Sequence, residues 1–144
     1  MPVPVFSLSV VTVSLGSQRV EVDLAREVLC GNKRASRRLV RAGRPCKYQV
    51  GRSYPLVRTE RPGATLGLIR VTAVWDEPLS DVEASPESVS DEGLPRGATP
   101  QTLVRLLQDI YELPWDADPA VWVVCLCIIP GTSRLRPGRL PERA

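Results

Sequence analysis

The apolar positions along this 144-residue chain change their period several times, and each change marks an element. Val3–Val13 is rich in β-branched residues and predicts a strand. In VEVDLAREVLCG, Val22, Ala25 and Leu29 fall at helical spacing, and Gly31 suits the left-handed residue that ends a helix. Short strands are expected at Lys47–Val50 and Tyr54–Val57 around the turn-like GRS, and RPGAT is expected to turn. LGLIRVTAVW predicts a strand with Ile69, Val71, Ala73 and Trp75 on one face. Two helices follow. One has Ser85 as cap, Pro86 in its first turn and Gly93 as terminator. The other has Thr99 as cap and Pro100 at its first position. Leu103, Leu106, Leu107, Ile110 and Tyr111 give that second helix an apolar stripe, read as core.

The chain closes with AVWVVCLCII, a buried strand apolar on both faces, in which Cys125 and Cys127 share a face as small core residues. Trp75 and Trp122 are expected in the core and Trp115, in LPWDADP, at the surface. No internal repeat is found. The order of strand, helix, several strands, two helices and strand predicts an α+β fold. The expected form is a small mixed β-barrel with about three helices packed at its openings. Residues 1–130 are read as one domain and the Pro- and Arg-rich residues 131–144 as a disordered basic tail.

Composition narrows the chemistry. A 43% hydrophobic and 24% charged chain is ordinary for a globular domain. It contains no histidine, so most familiar catalytic arrangements are excluded. The four cysteines form no CxxC pair and have no histidine to complete a zinc set, so no metal and no cofactor is expected. This cysteine usage suits a reduced, cytoplasmic protein. The N-terminus lacks the basic region of a signal peptide, and no apolar run is long enough to span a membrane. The net charge of +3 is mild but unevenly placed. From Lys33 to Lys47 there are seven basic residues and no acid. From Val71 to Pro95 there are seven acids and no Lys or Arg. Such a basic segment attracts polyanions, nucleic acid first among them; the plain alternative is a solvated face.

Within the basic segment, Gly31-Asn32-Lys33 followed by Arg38 satisfies GxKxxxxR. This resembles the signature of the ASCH domain family, a branch of the PUA-like superfamily. Three further stretches support the resemblance: KYQVGRSYPL as a strand-turn-strand, LGLIRVTAVWDEPLSDV as a long strand leading into a PLS connection, and DEGLP followed by a helix and a terminal strand. The likeness covers roughly Val20 to Pro130; the first strand matches poorly.

The resemblance implies a β-barrel whose cleft is lined by the signature loop and associated with RNA. Small bacterial members are amidohydrolases that remove the acetyl group of N4-acetylcytidine. They use a lysine, a hydroxyl residue three positions later, and a glutamate before the glycine of an EG pair. Carried over, these are Lys33, Ser36 and Glu92, with Arg38 as the signature arginine. Ser36 stands where those hydrolases usually have threonine. The implied partner is a modified nucleoside or RNA, with Gly31, Arg34, Arg37 and Arg38 of the signature as candidate binding residues; Tyr48 and Tyr54, which flank the turn at Gly51, are added as candidates for the cleft mouth.

The chemistry is consistent without the family. Amide hydrolysis needs a nucleophile, a proton acceptor and a group to hold the oxyanion. Ser36 is the candidate nucleophile. Lys33 qualifies as acceptor if burial and the neighbouring arginines depress its pKa. Glu92 could protonate the leaving amine or orient water, and Arg38 could hold the oxyanion or a phosphate. If RASRRLV is extended, Ser36 and Arg38 point the same way. Each residue also has a structural alternative: Lys33 capping helix carbonyls, Ser36 and Glu92 solvated, Arg38 paired with an acid. Two rival functions remain. One is a non-catalytic RNA-binding module; the other, a metal-independent ribonuclease, is disfavoured by the lack of histidine.

Overall fold

The computed structural model describes residues 4–84 and 87–134. The capping roles expected of Ser85 and Pro86, and the tail from 135 on, lie outside the described residues. The elements are β1 (Phe6–Leu8), β2 (Val10–Leu15), β3 (Gln18–Asp23), α1 (Leu24–Leu29), β4 (Ala35–Leu39), β5 (Ser53–Arg58) and β6 (Arg61–Pro78). A 3₁₀ segment (Leu79–Ala84), α2 (Glu87–Asp91), α3 (Pro100–Tyr111) and β7 (Ala120–Ile128) complete the chain. Five strands form one sheet in the order β1-β5-β6-β7-β4, with β1 parallel to β5 and the other pairs antiparallel. β2 and β3 form a separate hairpin. The result is the expected α+β architecture: a sheet curled into a small half-barrel with three α-helices against it.

Two cores hold it together. The larger lies inside the curl, where Phe6, Leu56, Ile69, Val71 and Leu126 meet Ala25 and Val28 of α1. The smaller joins Leu79 and Val82 of the 3₁₀ segment to Leu103 and Leu107 of α3 and Val121 of β7. α3 forms where expected because Thr99 caps it reciprocally with Thr102 and Pro100 suits its first turn. Its stripe serves both cores, Leu106 in the larger and Leu103 in the smaller; Ile110, at the end of the stripe, is exposed.

Several expectations shift. The first strand breaks at Ser9, so that β1 joins the sheet and β2 leaves it for the hairpin. Val22 belongs to β3, because Asp23 caps α1 with its carboxylate and starts the helix there. Residues 47–50 form no strand. RPGAT lies within β6, where Pro62, Gly63 and Ala64 bulge out between Arg61, opposite Arg58, and Thr65, opposite Val57. A second irregularity in β6, between Val71 and Ala73, reverses the alternation: Val74 turns inward and Trp75 becomes 45% exposed. On β7 the even positions Val124 and Leu126 face the larger core. The odd face is covered at Val121 and Val123 but runs out to solvent, leaving Cys125 half-buried and Cys127 exposed rather than in the core. Trp122 is half-buried and Trp115 exposed. Past β7, Thr132 bonds to the backbone of Leu68 and the Arg134 amide donates to the Leu66 carbonyl, so the chain follows β6 as far as 134.

Candidate functional site

The turn after α1 sets up the site. Gly31 adopts φ +79° on the surface, and the amides of Asn32 and Lys33 both donate to the Glu27 carbonyl. The chain then enters β4, and Lys33 forms an isolated antiparallel bridge with Glu92, reinforced by the Arg34 amide donating to the Asp91 carbonyl. The acidic segment is thereby laid against the basic one. Gly93 makes this approach possible. Its φ is +75°, and a Cβ there would meet the Lys33 Cβ at 2.8 Å.

Lys33 is 2% exposed. Its ammonium donates to Glu92 Oε2 at 2.6 Å, to the Glu92 carbonyl at 3.1 Å and to the Ala35 carbonyl at 2.8 Å. All three protons of the ammonium therefore have an acceptor. Burial nevertheless drives the Lys33 pKa below its usual 10.5, against the pull of Glu92 and with help from Arg38 and Arg37. The second Glu92 oxygen accepts from Arg37 Nη1 at 3.0 Å. Arg37 also reaches Glu77 Oε1 at 3.3 Å and Ser88 Oγ at 3.1 Å. One carboxylate is thus held between two buried cations, a geometry that fixes both of its oxygens.

Ser36 and Arg38 lie two residues apart on β4 and face the same cleft, as an extended RASRRLV requires. Arg38 Nε donates to Ser36 Oγ at 3.1 Å, and its Nη2 donates to the Ser7 carbonyl at 2.9 Å. Its guanidinium lies 4.3 Å from the centre of the Phe6 ring. No carboxylate pairs with it among the described residues. Because Ser36 Oγ accepts from Arg38, its own proton remains for an acceptor in the cleft.

The cleft has a volume of about 220 Å³. Lys33, Ser36, Arg38 and Glu92 line one side, and Leu103, Leu106 and Ile110 of α3 the other. The α3 stripe is therefore both core and cleft wall. Sites for drug-sized ligands run from roughly 300 Å³ upward, so this one suits a group of the size of a single base.

The other expected residues fall into different places. Arg34 is exposed and paired with Asp91 at 3.0 Å; Arg37 lines the cleft, with its guanidinium engaged by Glu92, Glu77 and Ser88. Gly31 shapes the turn without lining the cleft. Tyr54 is buried, its hydroxyl accepting from the Gln49 amide, and it does not line the cleft. Tyr48 is packed between Phe6 and Tyr54, with its hydroxyl donating to the Val5 carbonyl; it faces a neighbouring groove. Four residues that sequence reasoning did not place in the site also serve it: Phe6 and Ser7 support Arg38, and Glu77 and Ser88 hold Arg37. The one sequence signal for Glu77 was the acid-only segment, a natural complement to the basic one.

This architecture recurs in solved structures. The ASCH domain of Lactobacillus crispatus aligns with a TM-score of 0.55 and 18% identity, over 73% of this chain and 69% of that one. A protein of Enterococcus faecalis aligns with a TM-score of 0.53 and 18% identity, over 74% of this chain and 66% of that one. No protein-family model and no curated protein matches the sequence. The likeness establishes the fold alone: the chain has the small barrel architecture seen in that ASCH domain. Among the described residues, no helix is long and apolar enough to cross a membrane.

Proposed function

We propose that the cleft recognises the base of a modified nucleoside, free or in RNA, and that the chain is an amidohydrolase acting on an N4-acylated cytidine. The observation that carries this reading is the buried Lys33–Glu92 pair, 2.6 Å apart, opening on a base-sized cleft that also holds Ser36 and Arg38. In so dry a pair, transfer of one proton from Lys33 to Glu92 leaves a neutral amine beside a neutral acid. The amine then takes the Ser36 proton as Oγ attacks the acyl carbon, and Arg38 steadies the oxyanion. As the C–N bond breaks, the Glu92 acid gives its proton to the departing N4. Water, with its proton taken by the carboxylate of Glu92, releases the acyl group from Ser36. Lys33 returns the serine proton. Ser36 keeps its bond from Arg38 and turns its own proton toward Lys33, an approach that substrate is expected to tighten.

The test is cytidine release from N4-acetylcytidine. Wild type should release it. Lys33→Ala, Ser36→Ala and Glu92→Gln should each lose about 100-fold or more in kcat/KM. Ser36→Ala, the smallest change, should keep the native circular dichroism. Full activity in Ser36→Ala or Lys33→Ala would overturn the assigned roles. A wild type with no activity at near-stoichiometric concentration would leave a non-catalytic RNA-binding module. That second reading is favoured by the saturated Lys33 ammonium, which suits a rigid ligand grip as well as a proton relay.

A further inference from the structure

The seven cations between Lys33 and Lys47 do not share one fate. Lys33, Arg34 and Arg37 are neutralised by Glu92, Asp91 and Glu77. Arg38 is held by neutral oxygens. Arg41, Arg44 and Lys47 are exposed, and no carboxylate pairs with them among the described residues. These three do not scatter over the surface. With Arg38 they line a second groove of about 400 Å³, walled by Tyr48 and Trp122 and containing no carboxylate. Arg38 and Tyr111 line both the groove and the cleft, so the two concavities adjoin along one arginine. The Tyr48 ring lies beneath this charge, 5.4 Å from Lys47 Nζ and 5.8 Å from the Arg38 guanidinium.

We infer that this groove is a phosphate subsite: the ligand is a base in the cleft joined to one or more phosphates lying across Arg41, Arg44 and Lys47. Two observations favour this over a merely solvated basic face. The first is concavity, since a low-dielectric wall concentrates the field of four like charges that an open loop would lose to water. The second is the division of labour. Glu92, Asp91 and Glu77 are committed to Lys33, Arg34 and Arg37, while Arg41, Arg44 and Lys47 pair with no carboxylate among the described residues. The cleft alone matches a base, while groove and cleft together have room for a sugar and its phosphates. The favoured substrate class is therefore a nucleotide or a single-stranded nucleic acid rather than a free nucleoside. The inference rests on the reading that the cleft takes a base.

Calorimetric titration of the full chain with cytidine, cytidine monophosphate, a short oligocytidine and an abasic oligonucleotide of the same length tests both readings separately. Cytidine monophosphate should bind at least about tenfold tighter than cytidine. The triple variant Arg41→Gln/Arg44→Gln/Lys47→Gln should abolish that difference. If the source is a strand, oligocytidine binds tighter still. Its log K then falls with log salt by a slope of about −2 for three contacts, and the triple variant flattens it. If the source is a mononucleotide, the oligomer gains nothing. Should cytidine fail to bind while the abasic strand binds as well as oligocytidine and still needs the three cations, the phosphate subsite stands and the base reading falls. Equal affinity for cytidine and its monophosphate, or full phosphate-dependent binding by the triple variant, overturns the inference.

Discussion

Lys33 shows how much one side chain can be constrained without a metal or a histidine. Its amine is nearly sealed from water, all three protons have acceptors, and Arg37 holds the other oxygen of the carboxylate that compensates it. Desolvation is the largest influence, so the folded pKa lies below 10.5. Between the folded value and 10.5, the unfolded chain still holds a proton that the folded chain has lost. Over that window, deprotonation of Lys33 therefore adds to stability as pH rises; below it, the cost of the buried charge is present in full. The chain has only two lysines, Lys33 and Lys47. Selective ¹³C labelling at the lysine ε-carbon should thus give two titration curves, one with its midpoint below 10.5 that disappears in Lys33→Arg. Two curves both at or above 10.5 would show Glu92 outweighing burial, and Lys33 would then be a fixed cation rather than a base.

At the scale of elements, the site is a junction between β4 and the end of α2, and Gly93 is its tightest point. An alanine there would need a left-handed φ and would press its Cβ against that of Lys33 at 2.8 Å and of Glu27 at 3.1 Å. Gly93→Ala should cost about 1–3 kcal/mol in urea unfolding. A loss within error of zero would mean that the bridge between Lys33 and Glu92 gives way freely. Much at this scale was legible in the sequence. Thr99, Pro100 and the leucine stripe announced α3, and the period of two on RASRRLV placed Ser36 and Arg38 together. What could not be read was parity and partnership. The irregularity between Val71 and Ala73 turns Trp75 outward with no residue to announce it. The pairing of Arg34 and Arg37 with Asp91, Glu77 and Glu92 depends on a strand bridge between distant segments. Charge alone gave all the arginines of the basic segment equal standing, whereas the fold separates those that build the cleft from those that face outward.

For the molecule as a whole, the sheet leaves β1 and β4 as its two edges, and Arg38 reaches from one to the other. Its Nη2 bonds the Ser7 carbonyl of β1, and its guanidinium lies over Phe6 of the same strand. β1 is only three residues long and has backbone pairing on one side, to β5. Arg38→Ala should therefore speed hydrogen exchange at the β1 amides by about fivefold or more while leaving those of β6 and β7 little changed. Unchanged exchange at β1 would show that the strand is held by its core contacts alone. The separation of Lys33 from Glu92, 59 residues apart along the chain, has a consequence for synthesis and folding. The lysine and the carboxylate that neutralises it do not find each other by local collapse; a long loop of chain must close before they meet. Until then the amine is hydrated, cationic and ordinary. Any chemistry the pair performs is withheld from nascent or half-folded chains, and maturity of the fold and competence of the site arrive in one event.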